Sequence, residues 1–464
     1  MIFSWILTTD YWLLQAGFEM WDAGNTYDKR TGEVAMTRTF MPRISTLGEL
    51  KELQLDGLKW TVRHAFENSP FYRRRLQKAG ITPERVNSLD DLIRLPFTTA
   101  DDLREGYPFP LRAVPYDRIV RIHASSGTTG KRKVLCYTQK DIDDWADMFA
   151  RCYELAGISA EDRVQIAVGY GLWTAGVGFQ PGCEKLGAMA VPVGPGNTEM
   201  HCEMLVDLQS TVFCATASMA LLMGEEVQKR NLREQIALRK VILGAERHSE
   251  SMDRRIKELL GVEHLFDIPG LTELYGPGTG LDCPKHQGIH YWADYYILEI
   301  IDPETLEPVE PGELGEMVVT TLRKEGAPLI RYRTRDLTRI IPHPCSCPCL
   351  LPRHDRILGR SDDMFIVRAV NIYPGQIDHL LSQIAEIGSE YQVHIERRAD
   401  GRDYLILKVE RRPGYKPQDN EAIASRVSRD IRKHILVSAE VEVLDHGSLP
   451  RTERKSKRVF DHRD

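Results

Sequence analysis

Seven consecutive residues, Ser125-Ser126-Gly127-Thr128-Thr129-Gly130-Lys131, combine four hydroxyls, two glycines and a terminal cation. Glycines let a backbone approach a ligand closely and adopt φ > 0. Hydroxyls and exposed amides hydrogen-bond phosphate oxygens, and a lysine adds charge. The chemistry is that of polyphosphate binding. It is not a Walker A loop, which needs Gly at position 125 and Ser or Thr at 132, where Ser125 and Arg132 stand. The plain alternative is a flexible Ser/Gly linker, but such linkers rarely interrupt patterned sequence.

A second group is built from sulfur and imidazole. Cys283 and His290 come from one segment and Cys345 and Cys347 from another, so two pairs of donors could close a tetrahedral Zn²⁺ site. Cys349 or His286 could replace one ligand, and reduced surface thiols are the alternative. Four protein ligands leave no open position, so such a site would be structural. Cys136, Cys152, Cys183, Cys202 and Cys214 lie in apolar surroundings and read as buried free thiols. The total of nine is odd, which argues against a disulfide framework.

Other candidates are weaker alone. Thr272-Glu273 reads as a helix start. Gly244-Ala245-Glu246 ends an apolar run, where a parallel sheet presents ligand sites. Asp336 lies among arginines and reads as an ion-pair partner, and the run Arg451–Arg458 reads as a solvated tail. Tyr170 and Trp173 are either core residues or an aromatic pocket wall.

The elements that would position these residues follow from periodicity. Leu58, Val62 and Phe66 recur at four-residue spacing, which predicts helix over 47–80. Val164–Val168, Ala188–Val193, Thr211–Ala215 and Lys240–Leu243 read as short buried strands separated by helix-length segments, and 249–260 reads as an amphipathic helix. Alternation of this kind implies an α/β fold with a parallel sheet. Ile297–Ile301 and Glu316–Thr321 predict an antiparallel hairpin, with another strand at Leu337–Ile341. Beyond a polar boundary near 360 come a strand at Met364–Val367 and a helix over 374–386. A hairpin formed by Tyr391–Glu396 and Tyr404–Glu410 follows, then a stripe of Ile423, Val427, Ile431 and Ile435, and a last strand at Glu440–Leu444. The expected organisation is a 1–45 extension, a large 46–360 domain with parallel sheets flanked by helices plus antiparallel strands, and a small mobile α+β domain over 361–464.

Composition narrows the function classes. Of 464 residues, 42% are hydrophobic and 28% charged, which excludes a collagen-like or wholly disordered chain. The net charge of −6 argues against a broad nucleic-acid surface. Met1–Leu14 is apolar and aromatic, but Thr8, Thr9 and Asp10 interrupt it and no basic residue precedes it, unlike a signal peptide. No run approaches about 18 apolar residues. The expectation is a cytoplasmic protein without a membrane or nucleic-acid partner, and a homodimer is the generic default.

Taken with its flanks, His123-Ala-Ser-Ser-Gly-Thr-Thr-Gly-Lys131 resembles the phosphate loop of the adenylate-forming superfamily of acyl-CoA synthetases, adenylation domains and luciferases. The resemblance is closest to the phenylacetate-CoA ligase family. It is carried also by Leu58-Lys-Trp-Thr-Val-Arg-His-Ala, Pro70-Phe-Tyr-Arg-Arg, Leu95-Pro-Phe-Thr-Thr and Gly169-Tyr-Gly-Leu. Gly244-Ala-Glu, Ile330-Arg-Tyr-Arg-Thr-Arg-Asp-Leu-Thr338, Gly359-Arg-Ser-Asp-Asp-Met364 and Leu449-Pro-Arg451 extend it.

The resemblance implies an enzyme that joins a carboxylic acid to ATP as an acyl-adenylate, releases pyrophosphate, and passes the acyl group to coenzyme A with release of AMP. It implies that residues 125–131 hold phosphates, that Thr272 touches the α-phosphate and that Glu273 helps hold Mg²⁺. Gly244, Ala245 and Glu246 would line adenine; Asp267 and Ile268 would help bind the nucleotide; Asp336 would bind the ribose hydroxyls; Arg360 would contact nucleotide. Asp362 matches a hinge about which the C-terminal domain turns between half-reactions, delivering Lys455, with Lys457 as the alternative. Tyr170, Trp173, Ala217 and Gly276 fall where the family builds its aryl pocket. Many anaerobe members of the family carry the same Cys/His pattern. Three positions depart from the family: Pro269 replaces an adenine-stacking Tyr, Arg454 replaces the Gly before the catalytic lysine, and Arg132-Lys133 replaces Pro-Thr. Transfer to an amine or carrier-protein thiol, and a non-catalytic nucleotide-binding homologue, are the competing readings.

Overall fold

A computed structural model describes residues 39–125, 131–172, 174–368, 370–398, 401–450 and 458–463, together with the backbone of two short strands, Asn25–Tyr27 and Val34–Met36. The chain packs as two compact units. The first takes in the described residues up to Val164, then Gly169–Pro192 and Phe266–Arg356; the second takes in Gln165–Val168, Val193–Leu265 and Ile357 onward.

In the first unit, the region read as one helix over 47–80 is two, Leu47–Asn68 and Pro70–Lys78. Pro70 cannot continue a helix but suits the first position of a new one, and Ser69 between them is extended. Strands Arg121–Ala124 and Val134–Tyr137 pair antiparallel, and Ser125 N–H donates to Lys133 O at 3.0 Å at the base of the connecting loop. Thr138 caps the following helix, Gln139–Leu155, in a reciprocal box with Asp141. Tyr296–Ile301, Gly315–Thr321 and Tyr332–Thr338 form an antiparallel meander that includes the expected hairpin. A bulge between Glu316 and Val318 shifts its register opposite Tyr332–Thr338. The strand expected at Leu337–Ile341 is divided: its first residues end Tyr332–Thr338, and Ile340–Ile341 joins a different sheet with Arg353–His354, Ile289–Tyr291 and Gly280–Asp282.

The second unit holds two apolar cores. In one, Val212–Ala215 and Lys240–Gly244 pair in parallel, with helices Ala217–Lys229 and Glu250–Leu260 packed through Phe213, Met219, Met223, Ile256 and Leu260. Those helices approach so closely that a Cβ on Gly224 would lie 2.8 Å from Leu259 Cβ. The other core belongs to the C-terminal segment. Ile387–Arg397 and Asp403–Arg411 pair antiparallel, and Val459–Asp461 and Ala439–Leu444 add parallel strands on either side. Helices Pro374–Ser382 and Asn420–His434 cover it with Ile377, Leu381, Ile423, Val427 and Ile431. This is the small α+β pattern read from the sequence, with the first helix ending at Ser382 rather than 386.

Candidate active site

Within the first unit, the Thr272–Tyr275 turn is held by side chains from distant parts of the chain. Tyr137, fully buried at the end of Val134–Tyr137, places its hydroxyl 2.9 Å from Thr272 O and 3.1 Å from Tyr275 O. Lys324, also fully buried, donates from Nζ to Glu273 O at 2.9 Å and to Leu274 O. Its ammonium lies 4.8 Å from the ring centroids of both Tyr137 and Tyr275. Two side chains thus face four successive carbonyls, the one Tyr137 proton being shared between Thr272 O and Tyr275 O. The loop bearing Lys324 is fixed by Asp141, whose carboxylate accepts from Glu325 N–H and Gly326 N–H, each at 2.8 Å. Gly326 has no room for a Cβ, which would lie 2.4 Å from Cys136 O.

Glu273 is 4% exposed. It accepts a hydrogen bond from Tyr332 O–H at 3.0 Å and forms an ion pair with Lys133. Burial raises its carboxyl pKa, but the Lys133 charge and these hydrogen bonds outweigh that and hold it below the usual range. Glu273 is therefore ionised. Burial acts on Lys324 in the opposite sense, pulling it down to about 8 despite the opposing charge of Asp141. Thr174 Oγ1 lies 3.4 Å from Thr272 Oγ1.

Nearby positions follow the same helix. Trp145 donates to Pro277 O at 2.7 Å, and Gly276, at φ +131°, lies so close that a Cβ would sit 2.4 Å from Trp145 Cζ2. His123, 1% exposed, packs edge-on against Tyr137 and Trp145, and burial pushes its pKa down to about 4. Lys131 lies over the Tyr107 ring at 5.4 Å, and a groove of about 340 Å³ is bordered by Tyr107, Phe109, Ile122, Lys131, Arg132 and Leu172. Asp336 lies on Tyr332–Thr338, the strand that also supplies Tyr332; Arg333 and Arg335 both reach Glu316. Half-buried Tyr170 packs against Gly176, and Asp267 and Ile268 end His264–Ile268. Pro269 O accepts from Gly278 N–H at 3.1 Å.

The second unit carries other nominated residues. Gly244 closes Lys240–Gly244, and Ala245 takes φ 71°. Glu246 then accepts from Ser218 N–H in the first turn of Ala217–Lys229, where a helix N-terminus favours an anion. Gly244, Ala245, Glu246 and buried Ala217 are thereby brought together. Arg360 and Asp362 form a two-point pair at 2.9 and 3.0 Å. Ser126–Gly130, Trp173, and Arg454, Lys455 and Lys457 lie outside the described residues.

The Cys/His quartet converges in the first unit. Donor atoms of Cys283, His290, Cys345 and Cys347 all lie within 4.8 Å of one another. The pairing of Gly280–Asp282 with Ile289–Tyr291 sets Cys283 and His290 across a hairpin. His290 Nδ1 donates to Leu351 O at 2.7 Å, which turns Nε2 toward Cys347 Sγ at 3.2 Å. Hydrogen bonding from Cys347 pulls the Cys283 thiol well below its usual range. His286 instead pairs with Asp282. Cys136, Cys152, Cys183, Cys202 and Cys214 are buried and free, as their surroundings suggested, and Cys349 is free and partly exposed.

Tyr137, Thr174, Lys324 and Tyr332 were not singled out by sequence. Lys133 was visible only as a charge where the family has threonine. No helix among the described residues is long and apolar enough to cross a membrane.

Comparison with known proteins identifies the family. Residues 64–322 match the AMP-binding enzyme family, and residues 369–463 match the AMP-binding enzyme C-terminal domain. The chain is 40% identical to the phenylacetate-coenzyme A ligase of Escherichia coli K12, over 92% of this chain and 99% of that protein. It is 42% identical to that of Aromatoleum evansii, over 89% and 95%. Among solved structures, a 2-hydroxyisobutyryl-CoA ligase in complex with 2-HIB-AMP superposes with a TM-score of 0.83 at 28% identity, covering 96% of this chain and 97% of the other.

Proposed function

The chain belongs to the AMP-binding enzyme family, in its phenylacetate-coenzyme A ligase branch, and on that premise we propose that it activates an aryl or arylacetic acid and transfers it to coenzyme A. A carboxylate oxygen attacks the α-phosphorus of ATP, the bond to the β-bridging oxygen breaks, and pyrophosphate leaves with that electron pair. The thiol of coenzyme A then adds to the acyl carbon of the adenylate, AMP departs, and a thioester remains. The observation that carries this reading is Glu273, buried and ionised beside Thr272, and joined through Lys133 to the far end of the 125–131 loop.

In this reading Ser125, Lys131 and the residues between them hold the phosphates, and Thr272 contacts the α-phosphate. Thr272 and Glu273 offer the oxygen donors that Mg²⁺ takes, and the ion would neutralise phosphate charge. Asp336 accepts from the ribose hydroxyls. Gly244–Glu246, Asp267, Ile268 and Arg360 receive the nucleotide, with Pro269 presenting a ring without aromatic stacking. Tyr170, Trp173, Ala217 and Gly276 form the acyl pocket. Lys455 is delivered as the chain turns about Asp362. The quartet of three thiols and an imidazole fits a structural Zn²⁺, with all four positions filled by protein.

The test is carboxylate-dependent ATP–pyrophosphate exchange with phenylacetates, benzoates, indoleacetate and short alkanoates, followed by thioester assay with coenzyme A. Exchange with an aryl acid and a coenzyme A-dependent thioester are expected. Exchange without thioester would move the acceptor elsewhere. AMP binding without exchange for any acid would overturn the catalytic reading.

A further inference from the structure

We infer that Lys324 and Tyr137 are positioning residues for acid activation, fixing the Thr272–Glu273 turn by its carbonyl oxygens so that its two side chains face the nucleotide phosphates. The inference rests on the function proposed above. A turn whose carbonyls point into the protein normally has them satisfied by backbone amides. Here the single hydroxyl proton of Tyr137 is shared between the outer two, Thr272 O and Tyr275 O, and the ammonium of Lys324 donates to the inner two, Glu273 O and Leu274 O.

Lys324 is an expensive choice for this task. A fully buried ammonium loses its hydration, and Lys324 forms no ion pair with a carboxylate among the described residues. Its compensation comes from carbonyl dipoles, the faces of Tyr137 and Tyr275 at 4.8 Å, and the field of Asp141. A neutral donor would satisfy only part of this set. What the ammonium adds is a fixed positive charge directly behind the turn that carries Glu273, and such preorganised charge counts most where phosphate charge develops. The groups that face it are Cys136 and Tyr137 from one strand, Asp141 from the helix, and Glu273 and Tyr275 from the turn, with His123 also within its field.

The experiment compares wild type, Lys324→Met and Tyr137→Phe in two half-reactions: acid-dependent ATP–pyrophosphate exchange, and thioester formation from chemically prepared acyl-adenylate and coenzyme A. Lys324→Met is expected to lower exchange turnover by about 10²-fold, the range seen when a single preorganised donor is lost. The KM for ATP should change little, and thioester formation should proceed at a near wild-type rate. Tyr137→Phe, which removes one oxygen and keeps the ring, should lower exchange severalfold. A folded Lys324→Met with wild-type exchange would overturn the inference. So would equal loss in both half-reactions with a lowered melting temperature, which marks a structural role alone. If Lys324→Met fails to fold, unimpaired exchange in Tyr137→Phe overturns it. Wild-type protein without exchange for any acid would instead remove the proposed function, and this role with it.

Discussion

Lys133 and Glu273 form an ion pair in which the lysine side chain is 17% exposed and the glutamate side chain 5%. Tyr332 donates to the same carboxylate oxygen. The carboxylate proposed to receive Mg²⁺ is thus already neutralised by a cation of the chain. Removing one partner of such a pair leaves a buried charge uncompensated, at a cost of about 3–5 kcal/mol when burial is complete. Lys133→Thr should therefore lose up to about 3 kcal/mol in denaturant unfolding without metal, given its partial exposure. Millimolar Mg²⁺ should restore part of that loss, while leaving wild type nearly unchanged. In exchange assays the half-saturating Mg²⁺ concentration should fall severalfold. Identical metal responses in the two proteins would show that Lys133 and the metal do not share Glu273.

His123 supplies a pH dependence with a definite sign. Its folded pKa is depressed by burial to about 4 from a reference of 6.5. A depressed base is neutral in the fold and protonates more readily when unfolded, so its contribution is complete above pH 6.5 and is lost as pH falls toward 4. At about 1.4 kcal/mol per pKa unit, the loss between pH 7 and pH 5 is up to about 2 kcal/mol. Denaturant unfolding of wild type and His123→Gln at both pH values should show the variant losing less. Equal losses would assign the acid sensitivity to other groups.

The quartet of Cys283, His290, Cys345 and Cys347 predicts a metal stoichiometry. Elemental analysis of purified protein should find about one Zn²⁺ per chain. A strong chelator should lower the melting temperature, and Cys347→Ser should both lose the metal and lower it without chelator. Metal-free protein with an unchanged melting temperature would make the cluster three reduced thiols beside an imidazole.

Gly276 sits where no side chain fits. A methyl group there would meet Trp145 Cζ2 at 2.4 Å and Thr174 Cβ at 2.8 Å, at a backbone φ of +131°. Trp145 cannot easily withdraw, because its indole N–H is bonded to Pro277 O. Gly276→Ala should cost about 1–3 kcal/mol from overpacking. If Gly276 also borders the acyl pocket, kcat/KM for bulky aryl acids should fall more than for short alkanoates. A uniform decrease across the acid panel would separate the residue from specificity.

What could be read in advance was local. The strands at Val212–Ala215 and Lys240–Gly244, the C-terminal hairpin, and the two Cys/His donor pairs all announce themselves through period, turn residues or donor type within a short window. The supports of the Thr272–Glu273 turn do not. Tyr137 ends an ordinary buried strand, and nothing about it points 135 residues ahead to Thr272. Lys324 lies in Arg323-Lys324-Glu325, a charged triplet whose composition describes a solvated turn. Its burial is decided by Asp141 capturing the amides of Glu325 and Gly326, a tertiary contact. The division of Leu337–Ile341 between two sheets escaped for a related reason, since apolar periodicity does not distinguish one sheet from another.

The hydrogen bonds from Tyr137 and Lys324 to the Thr272–Tyr275 turn all end on main-chain oxygens, which every amino acid supplies, while the Tyr275 ring adds a side-chain contact to the ammonium. Apart from Tyr275, the shape of the turn is thereby uncoupled from the identity of its side chains. Leu274 or neighbouring wall positions can drift under selection for a new acid while the backbone at Thr272 and Glu273 keeps its course. A scaffold organised in this way is evolvable: its chemistry is anchored in atoms that mutation cannot remove, and its selectivity in atoms that mutation can. For directed evolution, diversity belongs in the pocket side chains, while positions 137, 141, 324 and 326 should be left unchanged.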